Sequence, residues 1–171
     1  MQDGGTTHHD RLTRDEWGVN LAMVTSLRGT CLRRKVGCVL MDEYGIVLST
    51  GYNGVARGLP HCGDPNCSCD GHDHVSGFGL ESCEAIHAEQ NALIQCTRPM
   101  DIYSCYVTVS PCVSCVKMLL NTPCVRIVFG EEYAHGELSG SLWRRALRGW
   151  FRVAPTIGAV SEPMDSPAER S

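Results

Sequence analysis

Apolar positions along this chain switch repeatedly between a helical period and short continuous runs. Between Arg14 and Arg28, Trp17, Leu21, Val24 and Leu27 recur near helical spacing and predict a first helix. The runs at 36–42 and 45–52, joined by the turn-like DEYG, predict a hairpin of half- or fully buried strands. The helical pattern returns from Ala85 to Thr97. YSCYVTV (103–109) predicts a strand, and PCVSCVKMLLNT (111–122) a helix opened by proline in its first turn. VRIVFG (125–130) predicts a further strand, LSGSLWRRALRG (138–149) a helix, and WFRVA (150–154) a last strand. Alternating strand and helix implies an α/β sandwich, one sheet with helices on both faces. Residues 52–82 break the pattern, being rich in Gly, Pro, Asp, Cys and His. A loop that long inside a compact domain needs something to order it, and bound metal would do so. Residues 1–10 and 161–171 are expected to be flexible ends, leaving 11–160 as one domain with a metal-binding insert at about 55–83.

Composition narrows the function classes. At 171 residues the chain is long enough for a real core, burying roughly 70% of its unfolded surface. A net charge of −4 argues against broad wrapping of nucleic acid, although LRRK at 32–35 offers a local place for a phosphate. No run approaches the roughly 20 apolar residues of a membrane span. The polar, acidic start is the wrong chemistry for a signal peptide, so cytoplasmic residence is expected. In a reducing compartment the eleven cysteines point to metal coordination rather than disulfides. Cys38, Cys96, Cys105 and Cys124 lie inside apolar runs and are expected as buried core thiols.

The remaining cysteines carry chemistry. IHAEQNALIQ, residues 86–95, places His87 and Glu89 two apart at the start of an apolar helical run. Alone, that pair reads as a helix start with a surface carboxylate. Downstream, Cys112 and Cys115 are spaced i, i+3, on one face of a helix and in its first turn. There the unpaired N–H groups and the positive end of the dipole favour thiolate. A lone C-x-x-C is redox-active, structural or coincidental. Joined to H-x-E it becomes a three-ligand zinc site of His87, Cys112 and Cys115, with a fourth position for water, as in catalytic zinc sites. Glu89 is then placed to move that water's proton.

HAE with PCVSC matches the H-x-E and P-C-x-x-C signature of zinc-dependent nucleobase deaminases. CLRRKVGCVLMDEYGIVLSTGYNGVARGLPHC, residues 31–62, together with HAEQNALIQ and YVTVSPCVSC, resembles the deoxycytidylate (dCMP) deaminases of bacteria and phages, over roughly residues 14–133. The resemblance implies a cytidine deaminase-like fold, a three-layer α/β/α sandwich around a mixed five-stranded sheet. It implies hydrolysis of dCMP to dUMP with release of ammonia, feeding thymidylate synthesis. Glu89 would be the general acid/base, and His87, Cys112 and Cys115 would hold the catalytic zinc. Asn53, in GYNG, would hydrogen-bond the substrate sugar; its plain alternative is a turn residue in a left-handed conformation. Ala88 and the backbone around Ser110 would line the base pocket.

A monophosphate needs cations beyond the sugar. Arg28, Arg33, Arg34 and Lys35 are available, more than one phosphate needs; arginine suits it, because a guanidinium fork binds two oxygens at once, and Arg28 and Arg34 are the choice. Arg98 matches a family position at the subunit interface and allosteric response, or else complements a helix C-terminus. The resemblance also implies a second, structural zinc, with Cys31 and Cys62 at matching positions. Cys67 and Cys83 are the choice for the other ligands, with His72 close behind. The chain lengthens the family's DGH to DGHDHVSGFGLESC, which leaves those two ligands open. Homohexamers, regulation by dCTP and dTTP with Mg2+, and no stable nucleic-acid binding complete what the resemblance implies. The rival readings are deamination of a 5-substituted dCMP or a polynucleotide base, or a zinc-stabilised binding module without catalysis. Glu89 argues against the last, because a purely structural metal gains nothing from a proton shuttle beside it.

Overall fold

A capping box starts the first helix, α1 (Arg14–Ser26). Thr13 Oγ1 accepts from the Glu16 N–H at 3.2 Å, and Glu16 Oε2 accepts from the Thr13 N–H at 2.7 Å. The structure, a computed structural model, describes residues 11–67 and 83–157. After α1 come β1 (Gly37–Met41), β2 (Val47–Tyr52) and the two-residue β3 (Gly54–Val55). Then follow β4 (Ala85–Ile86), α2 (Ala88–Gln95), β5 (Ser104–Val109) and α3 (Val113–Leu120). β6 (Arg126–Glu131), α4 (Gly136–Arg145) and β7 (Gly149–Arg152) complete the described elements.

The main sheet has five strands in the order β2-β1-β5-β6-β7. β1 runs antiparallel to both β2 and β5, whereas β5, β6 and β7 are mutually parallel, so the sheet is mixed as expected. Alternation along β1 shows the layers. Cys38 and Leu40 join a core with Ala88, Ala92, Val116, Leu119 and Trp143, from α2, α3 and α4. Val39 and Met41 point the other way, onto Val19 and Ala22 of α1. Cys38, Cys96, Cys105 and Cys124 are buried thiols of the larger core.

Three details differ from the pattern. Ala85 and Ile86 pair with Val55 and Gly54 as strand, so the helix expected from Ala85 starts at Ala88, with His87 as its N-cap. Pro111 lies before the N-cap Cys112 rather than inside α3. On α1 the expected apolar positions are not the buried ones: Trp17, Val24 and Leu27 are exposed, while Gly18, Val19, Asn20, Ala22 and Ser26 face inward. The cause is close approach. A Cβ on Gly18 would lie 2.4 Å from the Tyr106 ring, and one on Gly37 would lie 2.0 Å from the Ala22 carbonyl. At these two points only glycine fits between this helix and the sheet.

α2 sits as tightly on β2. A Cβ at Gly51 would lie 2.2 Å from the Ala88 carbonyl and 2.3 Å from the Ala92 nitrogen. Asn91 Nδ2 donates to the Tyr52 carbonyl at 2.7 Å, and Ser49 Oγ to the Ala92 carbonyl at 2.8 Å. Gly51→Ala is therefore expected to destabilise the protein by at least about 2–3 kcal/mol, the upper range for overpacking, because its obstacles are backbone atoms. Urea unfolding of the variant beside the native protein checks this. α3 is anchored at its far end by Arg148, whose guanidinium donates to the carbonyls of Leu119, Leu120, Thr122 and Cys124 at 2.8–3.4 Å. The expected flexible ends, and His72 with most of the Cys/His-rich insert, lie outside the described residues.

Candidate active site

Two helix N-termini converge at the end of the sheet where β5 and β6 finish. That is where open α/β sheets bind ligands, outside the carboxyl ends of parallel strands. β4 delivers His87 to the N-cap of α2, with its own N–H donating to Gln90 Oε1 at 2.9 Å. β5 runs through Ser110 and Pro111 to Cys112, the N-cap of α3, and Cys115 follows in the first turn. His87 Nδ1 lies 3.5 Å from Cys112 Sγ and 3.5 Å from Cys115 Sγ. All three donor atoms lie within 4.8 Å of one another, and among the described residues they form the one His/Cys/Asp/Glu group gathered that closely.

The donor set fits zinc. With Zn–S about 2.3 Å and Zn–N about 2.0–2.1 Å, tetrahedral angles separate sulfur from nitrogen by about 3.5 Å, the spacing seen here. The protons tell the same story. The Cys112 thiol is pushed down to about 4, first by the hydrogen bond from Cys115 and then by His87, against the opposing effect of burial. Cys115 is raised by the same hydrogen bond and by burial. His87 is raised first by its contact with Cys112. Two thiols and an imidazole in mutual contact form a cluster that a dication would complete by displacing their protons.

Glu89, in the first turn of α2, is 4% exposed. Burial raises its carboxyl, with His87 pulling the other way. It opens onto a cleft of about 110 Å³, which is lined also by Asn53, Ala88, Ser110 and Tyr133. Ser110 is locked in place: its N–H donates to the Glu131 carbonyl at 2.8 Å, and its Oγ accepts from the Tyr133 N–H at 2.8 Å.

The structure gathers Glu89, His87, Cys112, Asn53, Ala88, Ser110 and Arg34 around this one cleft, with the fully buried Cys115 behind its wall against His87 and Cys112. Asn53 has no positive φ, so the left-handed turn is not its role. Its carboxamide spans backbone, Nδ2 donating to the Arg34 carbonyl and Oδ1 accepting from the Val36 N–H, both at 2.7 Å. Each end keeps a second hydrogen-bonding valence. Arg28 does not line the cleft; it stacks 5.9 Å over the Tyr52 ring. Arg33 takes a place on the cleft wall beside Arg34. Arg98 follows α2 and pairs with Asp101 at 3.2 Å across a 3-10 turn. Cys31 and Cys83 also line the cleft, while Cys62 with Val55, Cys67 and Cys83 forms a separate small cluster. Tyr133 and Glu131 had no motif to announce them; their signal is position, at and just after the end of the parallel strand β6 at the site end.

Residues 12–131 match the family model described as the cytidine and deoxycytidylate deaminase zinc-binding region. The chain belongs to this family. Among its relatives is the deoxycytidylate deaminase of Mycobacterium phage D29, 34% identical over 122 residues, covering 69% of this chain and 94% of the phage protein. The deoxycytidylate deaminase of Saccharomyces cerevisiae is 31% identical over 137 residues, 77% of this chain. The chain spans about two fifths of the yeast relatives it matches, 42% of that protein and 41% of the one from Schizosaccharomyces pombe. The dCMP deaminase of cyanophage S-TIM5, solved in complex with dCMP and dUMP, shares the fold with a TM-score of 0.66 at 23% identity. That likeness covers 85% of this chain and 100% of the phage protein.

Proposed function

We propose that this deaminase family member hydrolyses dCMP to dUMP and ammonia. The observation that carries the reading is the buried Glu89 carboxyl beside a zinc-fitting His87, Cys112 and Cys115 trio on one cleft. Relatives named deoxycytidylate deaminase, and the cyanophage protein's complex with dCMP and dUMP, support the choice of substrate. So do Arg33 and Arg34 on the cleft wall, cations suited to a phosphate.

Zinc held by His87, Cys112 and Cys115 supplies a Lewis acid that makes water nucleophilic near neutral pH. Everything else falls to the chain. Glu89 accepts the proton of the attacking water, holds it on a carboxyl that burial already favours in protonated form, and delivers it to N3; it then takes the second proton from the new C4 hydroxyl and delivers that one to the leaving amine. Ala88, fully buried, and the fixed Ser110 wall keep the base in plane beside that carboxyl. The second hydrogen-bonding valence of Asn53 serves the sugar.

A structural zinc on the Cys62, Cys67 and Cys83 cluster, with Cys31 or His72 completing it, belongs to the same reading. The described thiols pack together but do not bring three donors within 4.8 Å, so no chemical step is routed through it. Hexamers, dCTP or dTTP effectors with Mg2+, a contact role for Arg98 and cytoplasmic residence are further parts of the proposal. No helix among the described residues is long and apolar enough to cross a membrane.

An ultraviolet absorbance assay of the zinc-loaded protein on dCMP, CMP, deoxycytidine and 5-methyl-dCMP tests this. Turnover of dCMP with deoxycytidine inert is expected. Inactivity on dCMP with turnover of another of the four would replace the substrate and leave the chemistry standing.

A further inference from the structure

Arg34 lines the cleft, yet its guanidinium is already engaged: Nη2 lies 2.5 Å from Glu131 Oε2. Both side chains are about half exposed, 42% and 49%, so the pair sits at the cleft mouth rather than in the core. Its two backbones are fixed independently. Asn53 clamps the carbonyl of Arg34 and the N–H of Val36 from one side. On the other, Glu131 is registered against Val109 and accepts the Ser110 N–H at its carbonyl. Neither segment can shift easily, but both side chains can turn.

We propose that Glu131 stands in for the substrate's phosphate, holding Arg34 at the cleft mouth of the free enzyme and yielding it to a monophosphate on binding. The proposal rests on dCMP as substrate and adds a specificity-determining residue. A phosphate monoester carries a charge of about −1.5 to −2 at pH 7 and three acceptor oxygens, against one charge on a carboxylate. It therefore outcompetes Glu131 for a bidentate fork, with Arg33 on the same wall adding to the attraction. A half-exposed ion pair is weak, so the exchange needs only a rotation of two side chains.

Steady-state kinetics on dCMP with the zinc-loaded native protein, Glu131→Gln, Arg34→Gln and the double variant tests the exchange. Removing the competitor in Glu131→Gln is expected to lower KM about two- to fivefold, the range of a weak surface pair, with a smaller change in kcat. Arg34→Gln is expected to raise KM about tenfold or more through loss of a charge-assisted bond. In the Arg34→Gln background the Glu131→Gln effect disappears, because the two residues act as one unit. An unchanged or raised KM in Glu131→Gln overturns the proposal. So does an equal fall in the Arg34→Gln background, or an equal fall in Glu132→Gln, which would mark a general field effect. A native protein that does not turn over dCMP overturns the substrate reading and the exchange together. An active native protein with an unmoved Glu131→Gln overturns the exchange alone.

Discussion

Glu89→Gln is expected to keep its fold and its zinc while turnover of dCMP falls about 10²–10⁴-fold, the usual contribution of a positioned general acid–base. The amide has the shape of the carboxyl, so the 4% exposed site stays filled and no cavity opens. It cannot carry a proton from water to base, which is the step assigned to this residue. Burial makes the native carboxylate costly, so the neutral amide is expected to leave stability unchanged or slightly higher. The decisive reading is the separation of the two quantities: metal content by elemental analysis unchanged, kcat lost and KM little altered. Full activity in Glu89→Gln would mean that another group moves the proton. Loss of zinc along with activity would make Glu89 a structural neighbour of the metal instead.

The second large effect is expected at Cys112. Its thiol is pushed down by Cys115 and His87, and as a zinc ligand it would serve as a thiolate. A serine hydroxyl keeps its proton at neutral pH and cannot replace that charge. Cys112→Ser is therefore expected to lower zinc affinity at least about 100-fold, beyond what loss of an outer partner of a metal ligand costs. Activity should disappear with the metal. The native protein stripped by a chelator should behave likewise and recover when zinc is returned. Cys96→Ala, which removes a buried thiol of the core distant from the trio, is the control that keeps its metal. Zinc retained at full occupancy in Cys112→Ser would remove this residue from the ligand set.

What could be read before the structure depended on how far apart the deciding residues are. His87, Glu89, Cys112 and Cys115 were legible because their chemistry is rigid and each pair is local in sequence. The strands were legible because β1 and β5 are buried along their whole length and read as continuous apolar runs. The inward face of α1 was not, because its distance from the sheet is set by Gly18 and Gly37, which carry no hydrophobic signal. β4 was missed for a similar reason. Two residues pairing with Gly54 and Val55 have no period to detect, and that pairing alone moves the start of α2 to Ala88. Arg28 and Arg33 could not be told apart by charge: the fold turned one onto the Tyr52 ring and the other toward the cleft. Glu131 and Tyr133 emerge only from the parallel pairing of β5 with β6, a contact no local motif encodes.

The register of the main sheet divides the molecule unequally. Cys38 lies opposite Val107 and Met41 opposite Ser104, so the β1–β2 turn is at the rim away from the zinc ligands. Gly45, at φ +85, makes that turn, and Tyr44 beside it is 75% exposed. One rim thus holds the candidate chemistry, and the other a turn closed by Asp42 Oδ1, which accepts from the N–H groups of Tyr44 and Ile46, and by Arg14, which donates to the Glu43 carbonyl. A fluorophore attached to a cysteine in place of the exposed Tyr44 would leave that turn closed and sit on the rim opposite Cys112, reporting on the fold without entering the cleft.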